Sequence, residues 1–383
     1  MRQNLNRLIK FALLVALVLL TAAFTAVGDS KDINNKLIVT TIAVDRRDGE
    51  IWIYAEFANI QAGQSSTGGG GAAPKYFLVK GHGGTLPEAR LNLERQLDMP
   101  LYISGARTLL ITENFAREHL VEYLYRLRAD ENYRKKVITL ITRDNLDELF
   151  KTPMEQNLSV GYSAENTVQT LESSGGGFSR TTSRLIENLT DSYTGILIPC
   201  IGLQEKEIAL TGYSVVNNTK VIGFIPIEAC KGLNILKTDK AKSFYVIPFN
   251  GVQYTVEADL TKRTTEAFYE NGAPVFKISL SFDATLEYGD KKLPYSFGAA
   301  DNEALTAMIK RMIDQDVRDA VYQAQSTYHT DYLQLDDAFR VAFPLVAESM
   351  NWNEAFARAA ITPEVDVSLK STYMMDYSVD HLR

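Results

Sequence analysis

One stretch of the hydrophobic pattern is unbroken. Residues 11–27 (FALLVALVLLTAAFTAV) carry no charge and only two side-chain hydroxyls, on Thr21 and Thr25. As a helix the run spans roughly 26 Å, slightly short of a ~30 Å hydrocarbon core. Arg2, Arg7 and Lys10 precede it, and Asp29, Lys31 and Asp32 follow. Basic flanks stay on the cytoplasmic side. The pattern therefore predicts residues 1–10 on the cytoplasmic side of the membrane and everything after Val27 on the extracytoplasmic side. Residues 1–28 read as a signal anchor, or as a signal peptide cut at Ala26-Val27-Gly28, with retention preferred. No other run approaches 18 apolar residues, so a water-soluble body is expected to meet the bilayer once.

Past the leader the period changes to two. Residues 36–44 (KLIVTTIAV) and 50–60 (EIWIYAEFANI) predict a hairpin around Asp45-Arg46-Arg47-Asp48-Gly49. Residues 62–75 (AGQSSTGGGGAAPK) read as a flexible surface loop, and 76–80 as a short strand. Thr85-Leu86-Pro87-Glu88 forms a predicted capping box, opening a helix with the stripe Leu86, Ala89, Leu93, Leu97. A strand is expected over 101–111. Thr112 then caps a helix through Arg128 that faces Phe115, Leu120, Leu124 and Leu127 inward. Residues 137–142 predict a strand, 145–150 and 157–173 helices, and 196–201 an extended apolar segment.

A boundary is expected near residues 203–206. After it come strands at 207–216 and 220–226, a short helix at 228–236, and strands at 243–248, 252–261 and 275–287 in hairpin order. The longest helix is predicted over 302–328, with Leu305, Ile309, Met312, Ile313, Val317, Ala320, Val321 and Ala324 on one face. Val365, Val367 and Leu369 alternate with polar residues, as in a terminal strand with one wet face. The fold class is therefore α+β and multidomain, with mostly antiparallel or mixed sheets, each flanked by helices. The expected units are 1–28, 29–205 (which can split further) and 206–383.

The 383 residues are 45% apolar and 23% charged, which excludes a disordered or polytopic chain. The net charge is −7, and the three basic residues of the leader leave the body more acidic still. Such a body has no electrostatic footprint for nucleic acid. Cys200 and Cys230 could form one bridge outside the cytoplasm, or stand as two buried thiols. His82, His119, His329 and His381 show no metal-ligand spacing.

The chemistry-bearing patterns are weak. Gly81-His82-Gly83-Gly84 lies between a strand and a helix, where backbone amides can hold an anion. Leu86 in the third glycine's slot fails the dinucleotide fingerprint, and a tight connection fits better. Gly161-Tyr162-Ser163 lacks the second glycine of a nucleophile elbow. Asp314, Asp316 and Asp319 are interspersed with Arg311 and Arg318 and read as a solvated, ion-paired face. Asp336-Asp337 suits a helix N-terminus, and Asp45 and Asp48 suit a turn. No catalytic, cofactor-binding or metal-ligating residue can be named, which leaves an enzyme reading without a site, and no cofactor is expected.

Residues 210–232 (LTGYSVVNNTKVIGFIPIEACKG) resemble a segment of the Ger(x)C spore germination proteins, the C subunits of nutrient germinant receptors in endospore-forming bacteria. Gly212, Val215, Lys220, Val221, Gly223 and Gly232 fall in the matching places. Asp29 to Asn34, followed by 38–45, is similar to the family's Trp-Asp-x-x-Glu-Ile-Asn start. Ala89, Tyr102 and 109–111 fit the helix and strand that follow. Arg128, Asp130 and Arg134 fit an Arg-Asp-x-x-x-Arg segment. Asp331-Tyr332-Leu333-Gln334-Leu335 and Trp352 fit the family's Asp-x-x-Gly-Phe and Trp positions. Family members are typically lipoproteins, but Val27 stands at the lipidated cysteine's place, so lipidation there is excluded and the retained helix becomes the attachment.

The resemblance implies a non-enzymatic receptor subunit in the inner spore membrane, with its body on the extracytoplasmic side. It would sit beside an A-type and a B-type subunit, one with a soluble domain plus transmembrane helices and one polytopic. The alternatives are a membrane-tethered extracytoplasmic solute-binding or chaperone-like module and, behind it, a hydrolase or transferase.

Overall fold

In the computed structural model the described residues are 14–15, 36–59, 75–130, 133–134, 136–152, 159–190, 194–217, 219–289 and 297–371. The predicted leader helix, apart from Leu14 and Val15, and most of the glycine-rich loop lie outside them. Among the described residues no helix is long and apolar enough to cross a membrane.

The first hairpin forms as β1 (Leu37–Arg47) and β2 (Glu50–Ala58), joined through Asp48 and Gly49, both at positive φ. That is the geometry a two-residue hairpin turn requires. β3 (Tyr76–Gly83) pairs antiparallel with β2 and runs straight into α1 (Leu86–Glu94). The Thr85 hydroxyl accepts from the Glu88 N–H as predicted, but the Glu88 carboxylate reaches one residue further back, to the Gly84 N–H at 2.9 Å.

The strand expected over 101–111 is two strands, β4 (Leu101–Tyr102) and β5 (Thr108–Thr112), separated by a 3-10 turn at Ile103–Gly105. Gly105 suits the close packing there: a Cβ on it would stand 2.9 Å from the Ile38 side chain. Then come α2 (Glu113–Ala129), β6 (Ile138–Thr142), α3 (Leu146–Lys151) and α4 (Val160–Ser173). α5 (Thr182–Thr190) is a helix the sequence pattern did not predict. β7 (Ile196–Gln204), β8 (Glu207–Asn217) and β9 (Lys220–Pro226) follow.

These strands make one nine-stranded mixed sheet in the order β3-β2-β1-β5-β6-β7-β8-β9, with β4 paired to β1. Its centre, β1-β5-β6-β7, is parallel, and both wings are antiparallel. Parallel neighbours need crossover connections; α2 joins β5 to β6, and α3 to α5 join β6 to β7. The expected boundary at 203–206 coincides with the β7–β8 hairpin turn, where Glu205 and Lys206 both take positive φ. By sheet membership, the chain leaves this layer after Pro226.

The second sheet has the order β10-β11-β12-β13. β10 (Lys242–Phe249), β11 (Val252–Glu270) and β12 (Ala273–Gly289) are antiparallel, and β13 (Ala360–Ser371) adds parallel to β12. α6 (Lys231–Lys237) links the sheets. α7 (Ala299–Tyr322) lies on this sheet and buries Leu305, Ile309, Ile313, Val317, Ala320 and Val321. Met312, predicted for the same face, is exposed at the stripe's margin, and the predicted last turns are a π-helical turn at Gln323–Thr327. α8 (Leu335–Ala342), α9 (Pro344–Glu348) and α10 (Trp352–Arg358) then lead into β13. The fold is α+β with mixed sheets, as expected.

One core cluster runs continuously from Leu140 and Tyr213 in the first sheet to Phe276, Ile309 and Trp352 around the second. A separate cluster of Phe57, Ile111, Phe115, Leu120 and Leu124 fills the other face of the first sheet.

Candidate functional site

Several of the residues singled out for their chemistry have structural partners. A Cβ on Gly81 would overlap the Ala89 carbonyl, so this glycine lets α1 lie against β3, while His82 stacks on Trp52 at 4.6 Å between ring centres. Asp314 pairs with Arg318 at 2.7 Å, Asp319 accepts from Gln315, and Asp316 accepts from the Tyr245 hydroxyl at 2.9 Å. Asp45 is buried and accepts from the Thr112 hydroxyl at 2.6 Å. Gly161 is pressed against Thr40 and Thr41 at the start of α4, whose first N–H (Val160) donates to buried Glu56 at 3.0 Å.

Asp147 is held by Arg47 at 2.7 Å and by Lys80. Against a burial penalty that would raise it, those hydrogen bonds pull its carboxyl down to about 2. Among the described residues, no three His, Cys, Asp or Glu side chains are grouped to hold a metal ion.

Cys200 and Cys230 are both free and buried. Cys200 lies 2.9 Å from the Ser214 hydroxyl, and Cys230 donates to the Pro226 carbonyl at 3.2 Å. Burial pushes each thiol up to about 12.

The residues marked by family resemblance are brought together more tellingly. Asp331 is buried between the two sheets. Its carboxylate accepts from the Leu335 N–H at 3.2 Å, the Asp336 N–H at 3.0 Å and the Trp352 indole N–H at 3.0 Å. The same aspartate thus fixes the start of α8 and the start of α10, while its carbonyl accepts from Gly195 beside β7 at 3.2 Å. Gln334, at the family's glycine position, has φ +65 and ψ +39, the left-handed conformation that glycine adopts without cost.

Gly232 and Gly212 are positions of close approach. A Cβ on Gly232 would overlap the Asp316 carbonyl, so α6 and α7 meet at bare backbone, and one on Gly212 would overlap the Ile225 carbonyl. Spacing alone gave no sign of these contacts; the resemblance was the only signal that could find them.

Two concavities flank α5. One, of about 430 Å³, has an aliphatic floor of Leu109, Leu127, Val137 and Ile186 beneath Arg128 and Arg134. The other, of about 920 Å³, is polar and includes Arg180, Arg184, Lys237 and Gln334. Asp130, the third member of the Arg128 segment, ion-pairs with Arg90 of α1 at 3.3 Å.

Comparison with known proteins gives two adjoining family matches. Residues 29–203 match the spore germination protein N-terminal domain, and residues 211–373 match the spore germination B3/GerAC-like C-terminal domain. Spore germination protein B3 of Bacillus subtilis (strain 168) is 22% identical over 369 residues, 94% of this chain and 96% of that protein. The putative spore germination protein YfkR of the same organism is 23% identical over 141 residues, 36% of this chain and 37% of that protein. The crystal structure of the GerBC protein shares the fold, with a TM-score of 0.54 at 18% identity over 86% of this chain and 97% of that one.

Proposed function

The chain belongs to the GerAC-like, or Ger(x)C, family of spore germination proteins, and on that premise we propose that it is the C-type subunit of a nutrient germinant receptor. It works by contact with other proteins and makes or breaks no bonds. The observation that carries this reading is collinearity: both family segments match in order, and spore germination protein B3 aligns over nearly the whole of each chain. Residues 11–27 tether it to the inner spore membrane with the body on the extracytoplasmic side, beside the A-type and B-type subunits. Val27 offers no thiol for a lipid thioether, which favours the retained apolar segment as the attachment.

The test is a deletion in the spore-forming host together with affinity capture from spore membranes. Loss of the response to one class of nutrient, with A-type and B-type subunits recovered on the tagged chain, is the expected result. A normal nutrient response in a strain lacking every paralogous receptor would reject the role. For the tether, Leu17→Asp costs about 2.5–3.5 kcal/mol at mid-bilayer and should shift the chain out of the membrane fraction. Unchanged fractionation would assign the attachment elsewhere.

A further inference from the structure

In the polar concavity beside α5 two cations share one neutral acceptor. Arg180 donates from Nη2 and Lys237 from Nζ to the same oxygen, Oε1 of Gln334, each at 2.6 Å. All three side chains are partly buried. Among the described residues neither cation lies within ion-pair distance of a carboxylate; their shared partner is a neutral amide. Of the carboxylates that line the same space, Glu165 is bound by Arg107 at 2.5 Å and Glu172 accepts from Ser179 at 2.7 Å. Asp331 acts on Lys237, and Asp337 on both cations, only at longer range. Arg184 also lines the cleft, ion-paired with Glu187 at 3.2 Å.

Two cations drawn from water and placed side by side repel and lose hydration, a cost normally offset by a counter-charge. The strain is visible on Lys237: burial, with Arg180 beside it, pushes its ammonium down to about 7. The backbone contributes as well, since the left-handed conformation at Gln334, fixed between Asp331 and α8, aims the amide at the two cations.

We propose that this cleft is a binding site for a small oxyanion, a carboxylate or phosphate group that takes the place of the Gln334 amide oxygen between Arg180 and Lys237. The guanidinium supplies the planar, forked contact that oxyanions favour, and the ammonium supplies a point charge. Phe178, Ser179 and Thr181 line the same cleft and bound the rest of the ligand. This site stands independently of the receptor role.

The test uses the full-length chain in detergent, with thermal unfolding and calorimetric titration against inorganic phosphate and against succinate, and sodium chloride as the control at equal ionic strength. A saturable rise in Tm with phosphate or succinate and none with chloride is expected; which of the two binds tighter identifies the ligand's headgroup. Lys237→Met and Arg180→Gln should each weaken that binding at least about tenfold. Gln334→Glu is the second variant, because it builds a carboxylate between the cations. It should raise Tm without ligand and abolish the response to added anion. No saturable response in the parent chain, an equal response in chloride, or a lowered Tm for Gln334→Glu would each overturn the proposal.

Discussion

Trp352 donates its indole N–H to the carboxylate of Asp331 at 3.0 Å, across 21 residues of chain. The bond closes the segment carrying α8 and α9 into a loop pinned at both ends. The ring also packs edge-on or tilted against Phe276, Phe339 and Phe356. Trp352→Phe keeps most of that apolar contact and removes the donor. It should cost about 1.5–3 kcal/mol, the range for a hydrogen bond to a charged group. A double-mutant cycle with Asp331→Asn in urea denaturation measures the coupling, and a value under about 0.5 kcal/mol would mean the bond does not matter.

Gly232 lets α6 cross α7 at backbone distance. Gly232→Ala puts a methyl where the Asp316 carbonyl stands, and neither backbone can yield without moving a helix. A loss of about 3 kcal/mol or more is expected, the upper range of overpacking. Thermal unfolding reads it directly; an unchanged Tm would show that the helices are further apart than described.

Burial, with Asp331 and Asp337 nearby, pushes the Asp336 carboxyl up to about 7, and its Oδ1 has no hydrogen-bond partner. An unfolded aspartate titrates near ~3.9. Between those values the native state holds a proton that the unfolded chain has released, so this group lowers stability as pH rises from about 4 to 7. Asp336→Asn should therefore flatten the decline over that window and exceed the parent at pH 8 by about 1–3 kcal/mol. Urea midpoints at constant ionic strength check it, and parallel profiles for parent and variant would contradict the burial.

Both thiols are buried and far from thiolate at neutral pH. A thiol-specific reagent should label neither Cys200 nor Cys230 in the native protein and both after denaturation. Oxidant should likewise leave the native mass unchanged. A native mass lower by two hydrogens would reveal a bridge.

Periodicity made much of this fold legible. The stripes of α1, α2 and α7 bury most of the residues their spacing selects, because a helix presents the same face every third or fourth residue, but Leu97 falls past the end of α1 and is only partly buried. Met312 was misplaced because it sits at the edge of that arc, where spacing does not decide burial. α5 is hidden because polar residues dominate TSRLIENLT, and of its apolar residues only Leu185 and Ile186 are buried. Pairing was beyond reach for a different reason. The Glu205-Lys206 turn reads equally well as a linker, and only tertiary structure shows that β8 returns along β7. The cleft was equally hidden, since Arg180, Lys237 and Gln334 are far apart in the chain and gain meaning only where they converge.

The two family segments meet at the β7–β8 hairpin, yet β8 and β9 belong to the sheet that the first segment begins. Severing the chain there would strip β7 of its antiparallel neighbour and leave a raw row of amides and carbonyls ready to pair with any strand at hand. The halves are thus interlocked: the second finishes what the first cannot close by itself, and a chain interrupted at that seam is expected to aggregate rather than yield two folded pieces.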